Sequence, residues 1–177
     1  MERIKLVVEE EAQGLVKEVY TDIKENFGVI PNLFKALALK PKVLQANWEK
    51  VKSLMLEGHL DRKIKEMVAV VVSEANGCEY CVGAHSLFLQ KLGVPEEIIQ
   101  SVVKDIDEAD IKDKEKKILK FAVKSTTEAH KISDQEFKLI KDLGLTEVEL
   151  VELVSVIDLF TSFNIFIDTL EVPLDKF

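Results

Sequence analysis

A chain of 177 residues, 47% hydrophobic and 32% charged, can bury one sizeable core, and its seven glycines and four prolines leave little room for long disordered tracts. A formal net charge of −8 disfavours a diffuse nucleic-acid or anionic-membrane surface. The longest apolar run, MVAVVV at 67–72, is far too short to span a bilayer, and no apolar segment follows a basic start; the cytoplasm, where thiols stay reduced, is the expected compartment.

Nearly everything reads as helix, so the expected fold is all-α. Residues 8–26 place Val8, Ala12, Leu15, Val16, Val19 and Ile23 at helical spacing. Gly28 and Pro31 break that pattern, and a short helix carrying Leu33, Phe34 and Leu37 follows. Residues 42–57 restart as a helix with Leu44, Trp48, Val51, Leu54 and Met55 inward, ended by Gly58. Asp61 is placed to cap a helix over 62–75. Its centre would suit a strand on β-propensity alone, but a run of that length with charges only at its ends reads as a buried helix. Asn76-Gly77 interrupts, and 78–91 forms the next helix.

LGVPEE at 92–97 marks a stop and a restart, leading into a helix over 96–106. A helix over 111–127 carries Ile118, Leu119, Ala122 and Val123. SDQE at 133–136 and TEVE at 146–149 both have capping-box spacing, the second before a long apolar helix over 147–168. The tail, 171–177, reads as extended or irregular. A faint echo between KLGVPEEIIQSVV at 91–103 and DLGLTEVELVELV at 142–154 suggests an internal helical repeat.

The chemistry concentrates in NGCEYCVGAH at 76–85, which holds the only two cysteines of the chain. Cys78, Cys81 and His85 stand at i, i+3 and i+7, on one face of a helix. At a helix start, the free N–H groups and the positive dipole end favour a thiolate. Two cysteines so spaced can also close a disulfide. One thiolate would attack a sulfur or peroxide oxygen, and the other would resolve the product. His85 can pass a proton. Glu66 lies mid-helix among apolar neighbours, and a hairpin at Asn76-Gly77 would bring it to the second and third turns of the cysteine helix. Partial burial would raise its pKa towards neutrality; an exposed Glu66 is the plain alternative.

Three readings stay open on these residues: a redox dithiol with a Glu–His relay, a zinc site with Cys78, Cys81, His85 and Glu66 as four ligands, and a buried pair without chemistry. Closed zinc sites usually draw a ligand pair from each of two elements and are built of Cys and His, which weighs against the second. Trp48 defaults to core or interface; Phe160, Phe163 and Phe166 default to core, with an interface or a pocket near the thiols as the alternative; His59 defaults to the surface and His130 to a polar junction. Asn164 reads as a cap or brace of the last helix.

Residues 28–99, GVIPNLFKALALKPKVLQANWEKVKSLMLEGHLDRKIKEMVAVVVSEANGCEYCVGAHSLFLQKLGVPEEII, and the closing FNIFIDTLEVPLD at 163–175 resemble the AhpD-like, or carboxymuconolactone decarboxylase-like, superfamily, and within it the peroxidase-related, alkylhydroperoxidase-like branch. The resemblance implies a single AhpD-like helical domain over 1–177, with an N-terminal helical extension of approximately 1–57 and a CxxC-bearing core of approximately 58–177. It implies homo-oligomers (dimers, trimers or hexamers) and a thiol-dependent peroxidase reducing alkyl or hydrogen peroxide. Cys81 is implied as the attacking cysteine and Cys78 as the resolving one, with His85 and Glu66 as the proton relay. Tyr80 stands where well-studied relatives carry a histidine, and joins the relay candidates as a hydrogen-bond donor. Family decarboxylases generally lack the CxxC pair. No nucleotide, flavin or haem fingerprint is present, so no cofactor is expected and reduction falls to an external dithiol or redox protein. The rival is a non-catalytic zinc-binding or redox-sensing helical protein.

Overall fold

Ten consecutive residues, Ile64–Ser73, are buried in the computed structural model, and they sit in a helix rather than a strand. Valine's helix penalty is at most about 0.7 kcal/mol. Burying a Val or Met side chain contributes about 1.5–3 kcal/mol, so packing on several sides overrides the local preference. The structure describes residues 3–175; the part of the expected irregular tail at 176–177 lies outside them.

The described residues are all helical or irregular: α1 (Leu15–Phe27), α2 (Asn32–Leu37), α3 (Pro41–Val51), α4 (Arg62–Asn76), α5 (Glu79–Lys91), α6 (Glu96–Lys104), α7 (Asp113–Glu128), α8 (Asp134–Lys141) and α9 (Glu147–Leu170). They divide into two compact units, residues 3–53 with 165–175, and residues 54–164.

In the first unit, α1 packs on α3 through Trp48, whose Nε1 donates to Asp22 Oδ2 at 2.8 Å, while Phe27 and Phe34 meet the indole edge-on at 5.2 and 5.6 Å. α1 starts later than its apolar spacing predicts. Gly14 takes a positive φ of 52°, and Val8 lies outside the helix and exposed. The C-terminal tail is held by Asn32, whose N–H donates to Asp175 and whose side-chain amide donates to the Pro173 carbonyl.

In the second unit, α5, α6 and α7 pack around α4. Asp61 caps α4 by accepting the Lys63 N–H at 2.9 Å. Both predicted capping boxes form: Ser133 with Glu136, and Thr146 with Glu149, each exchanging side-chain and backbone bonds. The single regular helix expected over 42–57 does not form. After Val51 the backbone widens into a π turn, Lys52–Leu56. There the carbonyls of Leu54 and Met55 accept Lys65 Nζ and Arg62 Nη1, each at 2.7 Å.

α9 is long and apolar enough to cross a membrane by length and composition, which the inspection of short apolar runs did not anticipate. Over half of that stretch is buried within the protein, and it carries the buried, ion-paired Glu152, both marks of a core helix.

Candidate active site

Gly77 makes the turn that builds the site. Its φ of 74° is left-handed, and this ends α4 in a reversal that hands the Cys78 N–H back to the Ser73 carbonyl at 2.9 Å. Cys78 is thereby the residue that caps α5, its own carbonyl accepting the Val82 N–H, and Cys81 lies in the first turn.

Three helices of the second unit each contribute two side chains, one or two turns apart. α4 supplies Glu66 and Ser73, α5 supplies His85 and Cys81, and α9 supplies Phe160 and Asn164. They meet in two layers. In the first, His85 Nδ1 stands 2.5 Å from Glu66 Oε2, and Phe160 meets the imidazole edge-on with centroids 4.4 Å apart. In the second, Asn164 Nδ2 donates to Ser73 Oγ at 3.0 Å, and both residues pull the pKa of the Cys81 thiol down. Cys78 and Cys81 are free thiols, 0% and 3% exposed, hydrogen-bonded to one another.

Glu66 is fully buried, which removes the alternative of an exposed carboxylate. It is doubly anchored, since Arg62 Nε and Nη2 both reach Oε1 at 2.6 Å while Oε2 faces His85. The expected rise of its pKa does not occur. Burial alone pushes the carboxyl up, but His85 and then Arg62 outweigh it and hold it below the ordinary glutamate range. An ionised carboxylate only accepts, so His85 carries a proton on Nδ1, and Nε2 is the ring nitrogen turned away from Glu66.

The dithiol corrects a second expectation. The hydrogen bond to Cys78, then burial, then the charge Cys78 carries when ionised push the Cys81 thiol well above its ordinary value, while Asn164 and Ser73 pull it back. A helix N-terminus contributes about 0.3–1 kcal/mol, less than one pKa unit. The partner thiol and the buried setting therefore win over the dipole.

The zinc alternative finds no geometric support. Among the described residues, no three His, Cys, Asp or Glu side chains gather at metal-binding spacing. Glu66 spends its oxygens on Arg62 and His85. Tyr80 is buried in the first turn of α5, about 100° around the helix from Cys81. His59 is exposed, as expected, with its ring 3.8 Å from Glu152.

Arg62, Ser73 and Asn164 were not singled out as site residues by their sequence context, and Phe160, by default a core residue, lies against His85. Signals existed: Arg62 precedes Glu66 by one turn, Ser73 is the one hydroxyl closing the apolar run of α4, and Asn164 is the one polar residue in FNIFI.

Residues 41–124, which include Glu66, both cysteines and His85, match the Carboxymuconolactone decarboxylase family. That stretch, just under half of the chain, is similar to this family. Its backbone superposes on the alkylhydroperoxidase AhpD core, an uncharacterized peroxidase-related protein of Ralstonia eutropha, with a TM-score of 0.89 at 24% identity, covering 98% of this chain and 92% of that one. The debrominase Bmp8, in complex with 2,3,4-tribromopyrrole, superposes with a TM-score of 0.84 at 17% identity, covering 97% of this chain and 91% of that one. At these identities the likeness shows the AhpD-like fold. The alkyl hydroperoxide reductase Rv2159c of Mycobacterium tuberculosis is 33% identical over 90 residues, 51% of this chain; the chain spans 26% of that relative's length.

Proposed function

We propose that this protein is a thiol-dependent peroxidase that reduces an alkyl or hydrogen peroxide through the Cys78–Cys81 dithiol. The observation that carries the reading is the pairing of buried Glu66 with partly buried His85 at 2.5 Å, one helical turn from a reduced and buried CxxC pair. A plain structural cysteine pair has no need of an ion-paired imidazole beside it. The name of the mycobacterial relative, an alkyl hydroperoxide reductase, supports the same chemistry.

His85 Nε2 takes the Cys81 proton, directly or through one water, and Glu66 steadies the imidazolium. The Cys81 thiolate attacks the distal peroxide oxygen. The S–O bond forms as the O–O bond breaks, and the leaving alkoxide or hydroxide takes the proton back from His85. Cys78 then condenses with the Cys81 sulfenic acid, releasing water and leaving the disulfide. An external dithiol returns two electrons by exchange, with no bound cofactor. Tyr80 joins as a hydrogen-bond donor near the thiols. The protein works as a homo-oligomer in a reducing compartment.

Stopped-flow mixing of pre-reduced protein with cumene hydroperoxide and hydrogen peroxide, with thiol counting, tests the reading. One equivalent of peroxide should consume both thiols, and Cys81→Ser should abolish turnover. Undiminished turnover in Cys81→Ser, or thiols that survive excess peroxide, would overturn it. A halogenated pyrrole in parallel, with halide release as readout, shows whether the dithiol prefers the Bmp8 type of substrate.

A further inference from the structure

Of the relay pair and the two thiols, one side chain opens to solvent. Glu66 and Cys78 are 0% exposed and Cys81 3%, whereas 15% of the His85 side chain is open. A substrate therefore reaches the thiols over the imidazole, and the groups beside that opening select it. Phe160 is a buried ring set edge-on to His85. One turn further along α5 stands the partly buried Phe88, its ring centroid 6.1 Å from that of the imidazole.

Two cations attend Phe88. The Arg62 guanidinium carbon lies 5.9 Å from the ring centroid and Lys91 Nζ 5.4 Å. They differ in what they have left to offer. Arg62 spends Nε and Nη2 on the Glu66 carboxylate and Nη1 on the Met55 carbonyl. Lys91 is exposed and, among the described residues, pairs with no carboxylate. Helical side chains lean towards the N-terminus, which carries its ammonium back from residue 91 over residue 88, and so towards His85. In a chain of net charge −8, this leaves one unneutralised cation beside the opening, with an aromatic ring between it and the imidazole.

A hydroperoxide group is small and neutral and calls for no cation. A cation set beyond an aromatic ring suits a ligand with an apolar body and an anionic far end. We propose that the opening selects long-chain aliphatic hydroperoxides bearing a carboxylate, the chain lying along Phe88 and the carboxylate pairing with Lys91, a specificity-determining residue. The proposal rests on the peroxidase reading and names its substrate class. The ammonium and the imidazole are separated by no more than their two distances to the Phe88 ring added together, and Cys81 lies one turn beyond His85. A fatty-acid hydroperoxide has a chain long enough to bridge that span. The chemistry is otherwise unchanged: the O–O bond is reduced to an alcohol and water while the dithiol becomes the disulfide.

An exposed ion pair changes affinity by about two- to fivefold and weakens as salt rises. The test mixes pre-reduced full-length protein with linoleic acid hydroperoxide or its methyl ester, over concentrations below micelle formation, and follows thiol loss. Wild type should saturate at about two- to fivefold lower concentration with the acid than with the ester, at equal limiting rates, as expected of a contact that only binds. Lys91→Gln should abolish the difference and Lys91→Glu should reverse it, with the ester kinetics unchanged in both. Added salt should narrow it in wild type. Equal saturation by acid and ester in wild type, or a difference that survives Lys91→Gln, overturns the proposal. Thiols of wild type that resist every hydroperoxide, cumene hydroperoxide included, sink the peroxidase reading instead. The carboxylate site is then decided without peroxide: linoleate should shield the thiols of wild type from iodoacetamide more than those of Lys91→Gln, and equal or absent shielding overturns it.

Discussion

His85 Nδ1 lies 2.5 Å from Glu66 Oε2, and the two residues come from antiparallel helices joined by a turn of only Gly77 and Cys78. The short turn sets the register. Residue 66 of α4 faces residue 85 of α5, and the Ser73 carbonyl takes the Cys78 N–H, so the Glu66–His85 pair and the thiols occupy successive layers of one helix pair.

His85→Ala should lower peroxide turnover by about 10²–10⁴-fold, the usual worth of a positioned acid–base group. Glu66→Gln keeps the size and removes the charge that favours the imidazolium, so it should give a smaller loss and shift the pH optimum. Steady-state rates across pH check both. Equal rates in His85→Ala and wild type would remove the imidazole from the mechanism.

Arg62→Leu takes away one of the two partners holding the Glu66 carboxyl low. The Glu66 pKa should rise, because burial then acts with less opposition. The acidic limb of the pH–rate profile should move to higher pH. An unmoved limb would mean that His85 alone sets the carboxylate's state.

Cys78→Ala removes the leading cause that pushes the Cys81 thiol up. The Cys81 titration should fall towards the ordinary thiol range, and oxidation should stop at a sulfenic acid that dimedone traps. Mass spectrometry reads the adduct. A disulfide-free, unmodified Cys81 after peroxide would contradict its assignment as the attacking thiol.

Acid should destabilise this protein through Glu66 and Glu152, both held below the ordinary glutamate range. For Glu152, burial raises the carboxyl, and the Lys65 bond with the His59 and Leu60 N–H groups more than offsets it. A depressed folded-state pKa means stability that is present above the unfolded value of about 4.3 and is lost as pH falls through the folded value. Tm should therefore drop as pH goes below about 4, and Glu152→Gln should flatten that slope. Thermal melts from pH 7 to pH 2.5 supply the comparison.

Glu152→Ala should cost about 3–5 kcal/mol at neutral pH, because it strands the buried Lys65 ammonium. Gly58 reports on the same lock. A Cβ built there would stand 2.0 Å from Glu152 Oε1 and 2.7 Å from Lys65 Nζ, so Gly58→Ala must displace the pair. Overpacking of this kind costs about 1–3 kcal/mol, readable by denaturant unfolding. The lock holds the loop that precedes α4, and with it the approach of Arg62 to the site.

The helices were legible because their signals are local. Gly77 and Gly93 mark stops, Ser133 and Thr146 start helices through reciprocal caps, and the apolar spacing of 62–75 outlasts any strand. The π turn at Lys52–Leu56 was not legible. What accompanies it is a pair of carbonyls turned to the side chains of Lys65 and Arg62, residues that a periodicity within 42–57 does not sense.

The motif CxxCxxxH with its upstream glutamate was likewise written in the chain, and so was the helix face shared by Cys81 and His85. The charge states were not. Spacing placed Glu66 near His85, but the sign of its pKa shift depended on whether burial or its bonds with His85 and Arg62 prevailed, and a helix start could not disclose that Cys81 would be sealed beside Cys78. Asn164 stands 91 positions beyond Ser73 in the chain yet donates to its hydroxyl oxygen. Periodicity and capping act over a few residues and can be read from order alone. Burial, ion pairing and long-range hydrogen bonds depend on which helix faces which, and only the packed chain decides that.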